Sequence, residues 1–169
     1  MTRVLREYEA HLHHAPRRVV VHKWSRYWDD ERVGFQSAIE EANVHSADLV
    51  AFGNRDIRFF RAGQLPPLRN TLIQIAPGNS ILYTQGYTPF SGEYGGMRVP
   101  RPLEIIEHHG SASMTQIAQE ILTLTKLDFN TTAFSGREPI TTAFSEEIGH
   151  ILAELPPDAI PRTRYWFYM

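Results

Sequence analysis

Residues 18–22 constrain the fold more than any other segment, because they contain an uninterrupted run of β-branched side chains, Val19, Val20 and Val21. Such a run is typical of a strand that is buried on both faces, as in a parallel or mixed sheet. Apolar residues at helical spacing precede it over residues 3–12, and an acidic stretch that begins at Asp29 favours the positive end of a second helix. We therefore expect a sheet that is covered by helices.

The middle of the chain predicts two hairpins and a further strand. Residues 48–52 and 57–61 flank a Gly-Asn-Arg-Asp turn, and residues 71–76 and 80–84 flank a Pro-Gly-Asn turn. Residues 102–108 predict another strand. Two helices follow, one over residues 114–126 with Ser113 as its N-cap and Lys126 in its last turn, and one over residues 140–155 opened by Pro139. This order predicts an α/β fold, a mixed sheet with helices packed on it.

Composition limits the classes of function. A chain of 169 residues is long enough for one domain with its own core. Its net charge of -2 excludes a uniformly basic surface, so any cationic patch must be local. The absence of cysteine excludes disulfides and thiolate metal sites. Because no stretch approaches the roughly 20 apolar residues of a membrane span, and the start does not resemble a signal peptide, we expect a soluble cytoplasmic protein.

Common catalytic motifs are missing from the sequence. It contains no Gly-rich phosphate loop, no G-x-S-x-G elbow and no H-E-x-x-H motif. Histidines cluster at residues 11–14 and at 108–109, but neighbouring residues of a strand point to opposite faces. We expect these histidines to be solvated or hydrogen-bonded, and we expect the paired carboxylates at 29–31, 40–41 and 146–147 to lie on helix starts or surfaces.

Six short segments follow one another in a specific order. They are VVVHKWS at 19–25 ahead of a helix, LRNT at 68–71, SILYTQG at 80–86, PRPL at 100–103, IAQEILTLTKLDFN at 117–130 and PITTA at 139–143. An aromatic tail at 162–169 follows them. Together they resemble the C-terminal half of the PIWI domain of prokaryotic Argonautes. The resemblance implies that residues 1–169 form one partial PIWI domain with an RNase H-like fold. The similarity is strongest over residues 18–155.

The resemblance also bears on cleavage. An active PIWI domain uses Asp, Glu, Asp and a final Asp or His around two metal ions about 3.5–4 Å apart. Lys23 stands where the second Asp is expected, and Phe144 stands where the final ligand is expected. Neither side chain can bind a divalent metal, and a shift of one residue would bring in Trp24 and Ser145, which serve no better. The resemblance therefore implies a catalytically inactive domain. Its first Asp and its Glu, like the MID domain that holds the guide's 5′ end, would belong to an upstream portion or to a partner chain.

Nucleic-acid contacts are carried over in the same way. The resemblance implies phosphate contacts from Arg69, Arg101 and Lys126, and a polar loop contact from Asn130. It further implies that the terminal carboxylate, here on Met169, helps to hold Mg²⁺ on the 5′ phosphate of the guide.

The expected function is guide-directed binding of nucleic acid without target cleavage. The partners are a single-stranded guide and its complementary target, RNA or DNA, with a separate effector protein that destroys plasmid or phage nucleic acid. One alternative is an active guide-dependent nuclease whose remaining acidic residues come from the absent half. Another is a protein-interaction or scaffold module that docks through its sheet edge and aromatic tail. The salt dependence of the binding affinity distinguishes nucleic-acid binding from the docking module. Phosphate-driven binding weakens as the salt concentration rises, whereas apolar docking does not.

Overall fold

The computed structural model describes residues 1–63, 66–90, 99–127, 136–156 and 158–160. Within them the elements follow in an order that confirms the predicted α/β class. They are α1 (Thr2–Leu12), β1 (Arg18–Lys23), α2 (Asp29–Glu41), β2 (Ser46–Gly53), β3 (Leu72–Ala76), β4 (Asn79–Leu82), β5 (Leu103–Gly110), α3 (Met114–Leu124) and α4 (Ile140–Ala153). None of the helices in these ranges is long and apolar enough to span a membrane.

The strands form one mixed sheet in the order β1-β2-β5-β4-β3. β1 and β2 are parallel, and α2 connects them, as a parallel pair requires a crossover. The pairs β2–β5, β5–β4 and β4–β3 are antiparallel. β1 and β2 therefore end at the same edge of the sheet, and this is the edge at which polar side chains gather.

Helices cover both faces of the sheet. On one face, Ile117, Ala118 and Ile121 of α3 pack into a cluster with alternate residues of β2, β4 and β5, including Val50 and Phe52. The intervening residues Leu49 and Ala51 face the other side, where Tyr27 and Phe35 pack against them. Burying each large apolar side chain contributes about 1.5–3 kcal/mol, so this two-sided core stabilises the carboxyl end of β2 firmly.

Local signals at the turns and caps are confirmed. The Pro-Gly-Asn turn joins β3 and β4, and Gly78 supplies the positive φ of 72° that the turn requires. The side chain of Ser113 accepts a hydrogen bond from Gln116 N at 3.2 Å and caps α3. α3 ends at Leu124 and α4 at Ala153, so Lys126 lies just beyond the helix and not in its last turn.

Two further predictions are wrong. Residues 57–61 do not pair with β2, because β1 and β5 occupy both edges of that strand. β1 is not buried on both faces either, since each of its residues is only half-buried. Within the described sheet it is an edge strand, as β3 is at the opposite edge, and β2 is the neighbour that pairs with it.

Candidate nucleic-acid interface

A cleft of about 690 Å³ opens at the edge where the two parallel strands end. This is the edge at which open α/β sheets commonly bind ligands. One wall comes from the end of β1 and the residue after it, and the other from the first two turns of α4. The residues of these two walls are His22, Lys23, Trp24, Thr142, Ser145 and Glu146.

Lys23 brings a positive charge to the cleft. Its ammonium group forms an ion pair with Glu31 of α2 and lies 5.5 Å from the centre of the Tyr27 ring. The hydrogen bond from Lys23 is the main reason that the pKa of Glu31 falls below its usual value, and the backbone N–H of Trp28 adds to this effect. A cation therefore occupies the position at which the resemblance expected a metal-binding carboxylate.

His22 is fixed beside Lys23. Its Nδ1 lies 2.7 Å from Thr141 Oγ1, and its ring meets the buried Phe52 edge-on with 5.1 Å between centroids. Burial lowers the pKa of His22 to about 4, so the ring is neutral at pH 7. His22 can therefore donate or accept a hydrogen bond in the cleft, but it adds no charge there.

The opposite wall has no metal ligand at the position where the resemblance expects the final one. The Ser145 hydroxyl donates to the carbonyl of Thr141 at 2.7 Å, and Phe144, the residue before it, has no lone pair to offer. Glu138 also lines the cleft; burial raises its pKa, Arg137 opposes this, and Glu146 adds to it. No group of three or more His, Asp or Glu side chains among the described residues is arranged to hold a metal ion. These residues do not fit a two-metal centre.

The side chain of Arg137 lies next to the cleft, and the charges of Arg58 and Arg101 act on it; we call these three residues the arginine cluster. The side chain of Arg137 donates to the carbonyl of Pro102 at 3.4 Å and to the side-chain oxygen of Asn54, which itself lines the cleft. Burial lowers the pKa of Arg137; the carboxylate of Glu138, whose Oε1 lies 3.8 Å from Arg137 Nη1, opposes this effect, and the positive charges of Arg101 and Arg58 lower the pKa further. Like charges that crowd in this way favour the binding of an anion between them.

The predicted contact residues lie in different surroundings. Arg101 is exposed and belongs to the arginine cluster. Arg69 is half-buried, donates through Nε to the carbonyl of Thr84 at 2.8 Å, and has its pKa lowered by burial. Lys126 is exposed just after α3. Asn130 and Met169 lie outside the described residues, so the contacts assigned to them stay predictions.

Several of the histidines and carboxylates are engaged in hydrogen bonds with one another. His108 Nε2 lies 2.8 Å from Asp48 Oδ1, and His109 contacts Glu107. The acidic residues that begin α2 occupy its first turn as expected. Glu146 lies on the exposed surface of α4 as expected, and its side chain also lines the cleft.

Sequence reasoning missed Arg58, Arg137, His22 and Glu138 as residues of the site. Arg58 was assigned to a strand that does not form. Arg137 and Glu138 directly precede Pro139, the N-cap of α4. Their position just before a predicted helix start is the sequence signal that could have placed them near the cleft.

The sheet order, the two helical layers and the cleft at the carboxyl ends of β1 and β2 define an α/β fold with a mixed sheet. Neither a protein-family model nor a curated protein matches the sequence. Solved structures of Argonautes do match the fold. Clostridium butyricum Argonaute bound to a guide DNA and a 19-mer target DNA superposes with a TM-score of 0.71 at 16% identity, over 98% of this chain and 21% of that one.

Two further structures give the same result. Aa-Ago with externally bound siRNA has a TM-score of 0.68 at 18% identity, over 98% of this chain and 23% of that chain. Aquifex aeolicus Argonaute has a TM-score of 0.75 at 19% identity, over 95% of this chain and 22% of that chain. The chain thus has the fold of a segment of prokaryotic Argonautes and spans about a fifth of their length. The predicted fold is confirmed.

Proposed function

We propose that this chain forms the C-terminal part of a PIWI-like domain that binds a single-stranded guide and its complementary target without cutting the target. The arginine cluster carries the proposal. Arg137 is joined to the cleft by its contact with Asn54, and the positive charges of Arg58 and Arg101 act on it. A phosphate that sits among them removes the repulsion and gains charge-assisted hydrogen bonds.

Two features support the assignment to nucleic acid. The arginine cluster is joined to the cleft by the contact between Arg137 and Asn54, so a strand can contact both in succession. The similar Clostridium butyricum Argonaute was solved with a guide DNA and a target DNA. The contacts expected from the arginine cluster reach the phosphate backbone and not the base edges, so base pairing between guide and target would supply sequence specificity.

Salt dependence tests the proposal. We would measure the affinity of the protein for a short labelled single strand by fluorescence anisotropy over a range of salt concentrations, before and after Arg58→Gln with Arg101→Gln. Each lost phosphate contact lowers the slope of log affinity against log salt by about 0.7, so the double variant should lose about 1.4. Arg3→Gln is the matched control, because Arg3 is an exposed cation of α1 that pairs with Glu7. If the double variant keeps the slope of the control, the arginine cluster does not bind phosphate.

The absence of cleavage is part of the same proposal. Lys23 and Phe144 supply no metal ligand at the two positions that the resemblance identifies. We expect the protein to bind a complementary labelled target in Mg²⁺ or Mn²⁺ and to leave it intact. A discrete product of cleavage within the paired region would overturn this part and favour an active nuclease with carboxylates from outside this chain.

The proposal extends to the biological role. The carboxylate of Met169 would hold Mg²⁺ on the guide's 5′ phosphate, because a divalent cation cancels the repulsion between the two anions. An associated effector protein would destroy the recognised plasmid or phage nucleic acid, and the system would act in the cytoplasm. The resemblance to prokaryotic Argonautes motivates this role.

A second candidate is a docking module. A groove of about 430 Å³ runs between α1 and the half-buried outer strand β1, and its apolar lining includes Val4, Tyr8 and Val20. Val4 is 64% exposed, so apolar surface is available there. A protein segment bound in this groove would be held by apolar contacts, and its affinity would rise slightly in sulfate and not fall with salt.

A further inference from the structure

A short segment before the sheet's β3 strand places aromatic and cationic side chains side by side. Residues 57–61 read Ile-Arg-Phe-Phe-Arg, and residues 57–60 form neither helix nor strand. Phe59 is 38% exposed and Phe60 is 61% exposed. Exposing two adjacent phenylalanines forgoes the burial energy that each could contribute, so the pair is a candidate contact surface for a ligand.

The neighbours of Phe60 hold its backbone in place. The N–H of Phe59 donates to the hydroxyl of Tyr83 at 2.8 Å, and the two rings meet edge-on at 6.3 Å. Tyr83 is fully buried, so it is a rigid support. On the other side, the guanidinium of Arg61 lies 5.1 Å from the centre of the Tyr87 ring. Phe60 therefore lies between two residues that are anchored to Tyr83 and Tyr87, and anchoring of this kind lowers the entropy lost on binding.

The positive charge of Arg58, two residues before Phe60, can bind a phosphate of the nucleic-acid backbone. Arg58 belongs to the arginine cluster, because its charge acts on Arg137. Two peptide units separate Arg58 from Phe60, which limits the distance between their Cα atoms to about 7 Å. A guanidinium that binds phosphate and an aromatic ring that stacks on a base are the two components of surfaces that bind single-stranded nucleic acid.

We propose that Phe60 stacks on an unpaired base while Arg58 binds the adjacent phosphate, so that this surface selects single-stranded over double-stranded nucleic acid. The inference rests on the proposed function and deepens it, because it names the class of nucleotide bound at the arginine cluster. Bases within a duplex already stack on their neighbours on both sides, so their faces are closed to the ring. An unpaired base offers a free face to Phe60.

Abasic sites separate stacking from phosphate binding. We would compare a short single strand with the same strand carrying abasic positions, using the full chain and the variants Phe60→Ala, Phe60→Leu and Phe60→Trp. Loss of one stacked base weakens binding by about 5- to 150-fold, so Ala and Leu should lose this factor for the intact strand. Leu is the matched control, because it keeps apolar bulk and lacks the aromatic face. Trp should bind at least as tightly as Phe, and all four proteins should bind the abasic strand equally.

The outcomes distinguish this inference from the proposed function. If the unmodified protein binds intact and abasic strands equally, or if Phe60→Leu leaves the affinity for the intact strand unchanged, phosphate binding stands and stacking is refuted. An equal loss for both strands in Phe60→Leu also refutes stacking, since it shows a general effect on the surface. If the protein binds neither strand, the proposed function itself fails. Quenching of 2-aminopurine in the bound strand, absent in Phe60→Leu, gives a direct signal of the stacked base.

Discussion

Replacing Asp48 by alanine tests how much the buried carboxylate of this residue contributes to the stability of the sheet. Asp48 lies in β2, and its side chain is fully buried. Its carboxylate accepts hydrogen bonds from Arg18 Nε at 2.8 Å and from the backbone N–H of Ala112 at 3.0 Å, and one of its oxygens lies 2.8 Å from His108 Nε2. The substitution leaves all three groups without this partner at once.

The expected loss of stability follows from these contacts. Removing one partner of a buried ion pair costs about 3–5 kcal/mol. The side chain of Arg18 is 25% exposed and also pairs with Glu120, so it keeps some solvation and a second partner. We therefore expect the low end, about 3 kcal/mol for Asp48→Ala. In a chain of this length each 1 kcal/mol shifts the Tm by about 2–4 °C, which gives a decrease of about 6–12 °C.

The dependence on pH gives an independent check. Burial by itself would raise the pKa of Asp48, but the hydrogen bonds from His108, Ala112 and Arg18 outweigh it and bring the pKa below its ordinary value. The stability that this group contributes is therefore complete above its unfolded pKa of about 4 and is lost as the pH falls through the lower folded pKa. The difference between the unmodified protein and Asp48→Asn should shrink over that same acidic window.

Urea unfolding at pH 7, followed by circular dichroism, is the assay. Asp29→Asn is the control, because the Asp29 side chain is 88% exposed in a surface ion pair with Arg32. Its effect should stay within about 0.5 kcal/mol. If Asp48→Ala unfolds at the same urea concentration as this control, the carboxylate is not the buried anion that holds Arg18 and His108, and the reasoning is refuted.

Three further predictions concern single positions. Gly110→Ala should destabilise the protein by about 2 kcal/mol or more, because a Cβ at 110 would overlap the carboxylate of Asp48; an unchanged urea midpoint would contradict this contact. The ring of His22 should titrate by NMR with a midpoint of about 4 because of burial, so its contribution to stability is lost as the pH falls from about 6.5 towards 4; a midpoint near the ordinary value would show an open, hydrated cleft. A 5′-phosphorylated strand should bind better than a 5′-hydroxyl strand in Mg²⁺, and residues added after Met169 should abolish the preference; equal binding of both strands would remove the guide-holding role of this carboxylate.

Elements with local signals could be predicted from the sequence. Three consecutive valines marked β1, and the Pro-Gly-Asn turn marked the β3–β4 hairpin with Gly78 at positive φ. Ser113 marked the start of α3, and Pro139 marked the start of α4. Each of these signals depends on a few neighbouring residues, whose conformational preferences act before any tertiary contact forms.

Pairing between distant strands could not be predicted in this way. The turn residues at 53–56 fit a hairpin, but β5, more than 50 residues further along the chain, occupies the edge of β2 that the hairpin needed. The same limit applies to the site. Arg137 reaches Asn54 across 83 positions, and His22 reaches Thr141 across 119 positions. Such contacts depend on the packing of the whole sheet, which local patterns do not encode.

The position of Lys23 explains why one substitution should not turn the cleft into a metal site. Glu31 accepts a hydrogen bond from the N–H of Trp28 at 3.0 Å, which helps to begin α2, and pairs with Lys23 at the same time. In Lys23→Asp, a carboxylate would replace the ammonium that lowers the pKa of Glu31 and would repel it instead. We expect this variant to have a lower Tm than Lys126→Asp, which makes the same charge change at an exposed position, and to gain no cleavage. If Lys23→Asp were as stable as Lys126→Asp, the ion pair would not support the start of α2, and Lys23 would be free to serve nucleic-acid binding alone.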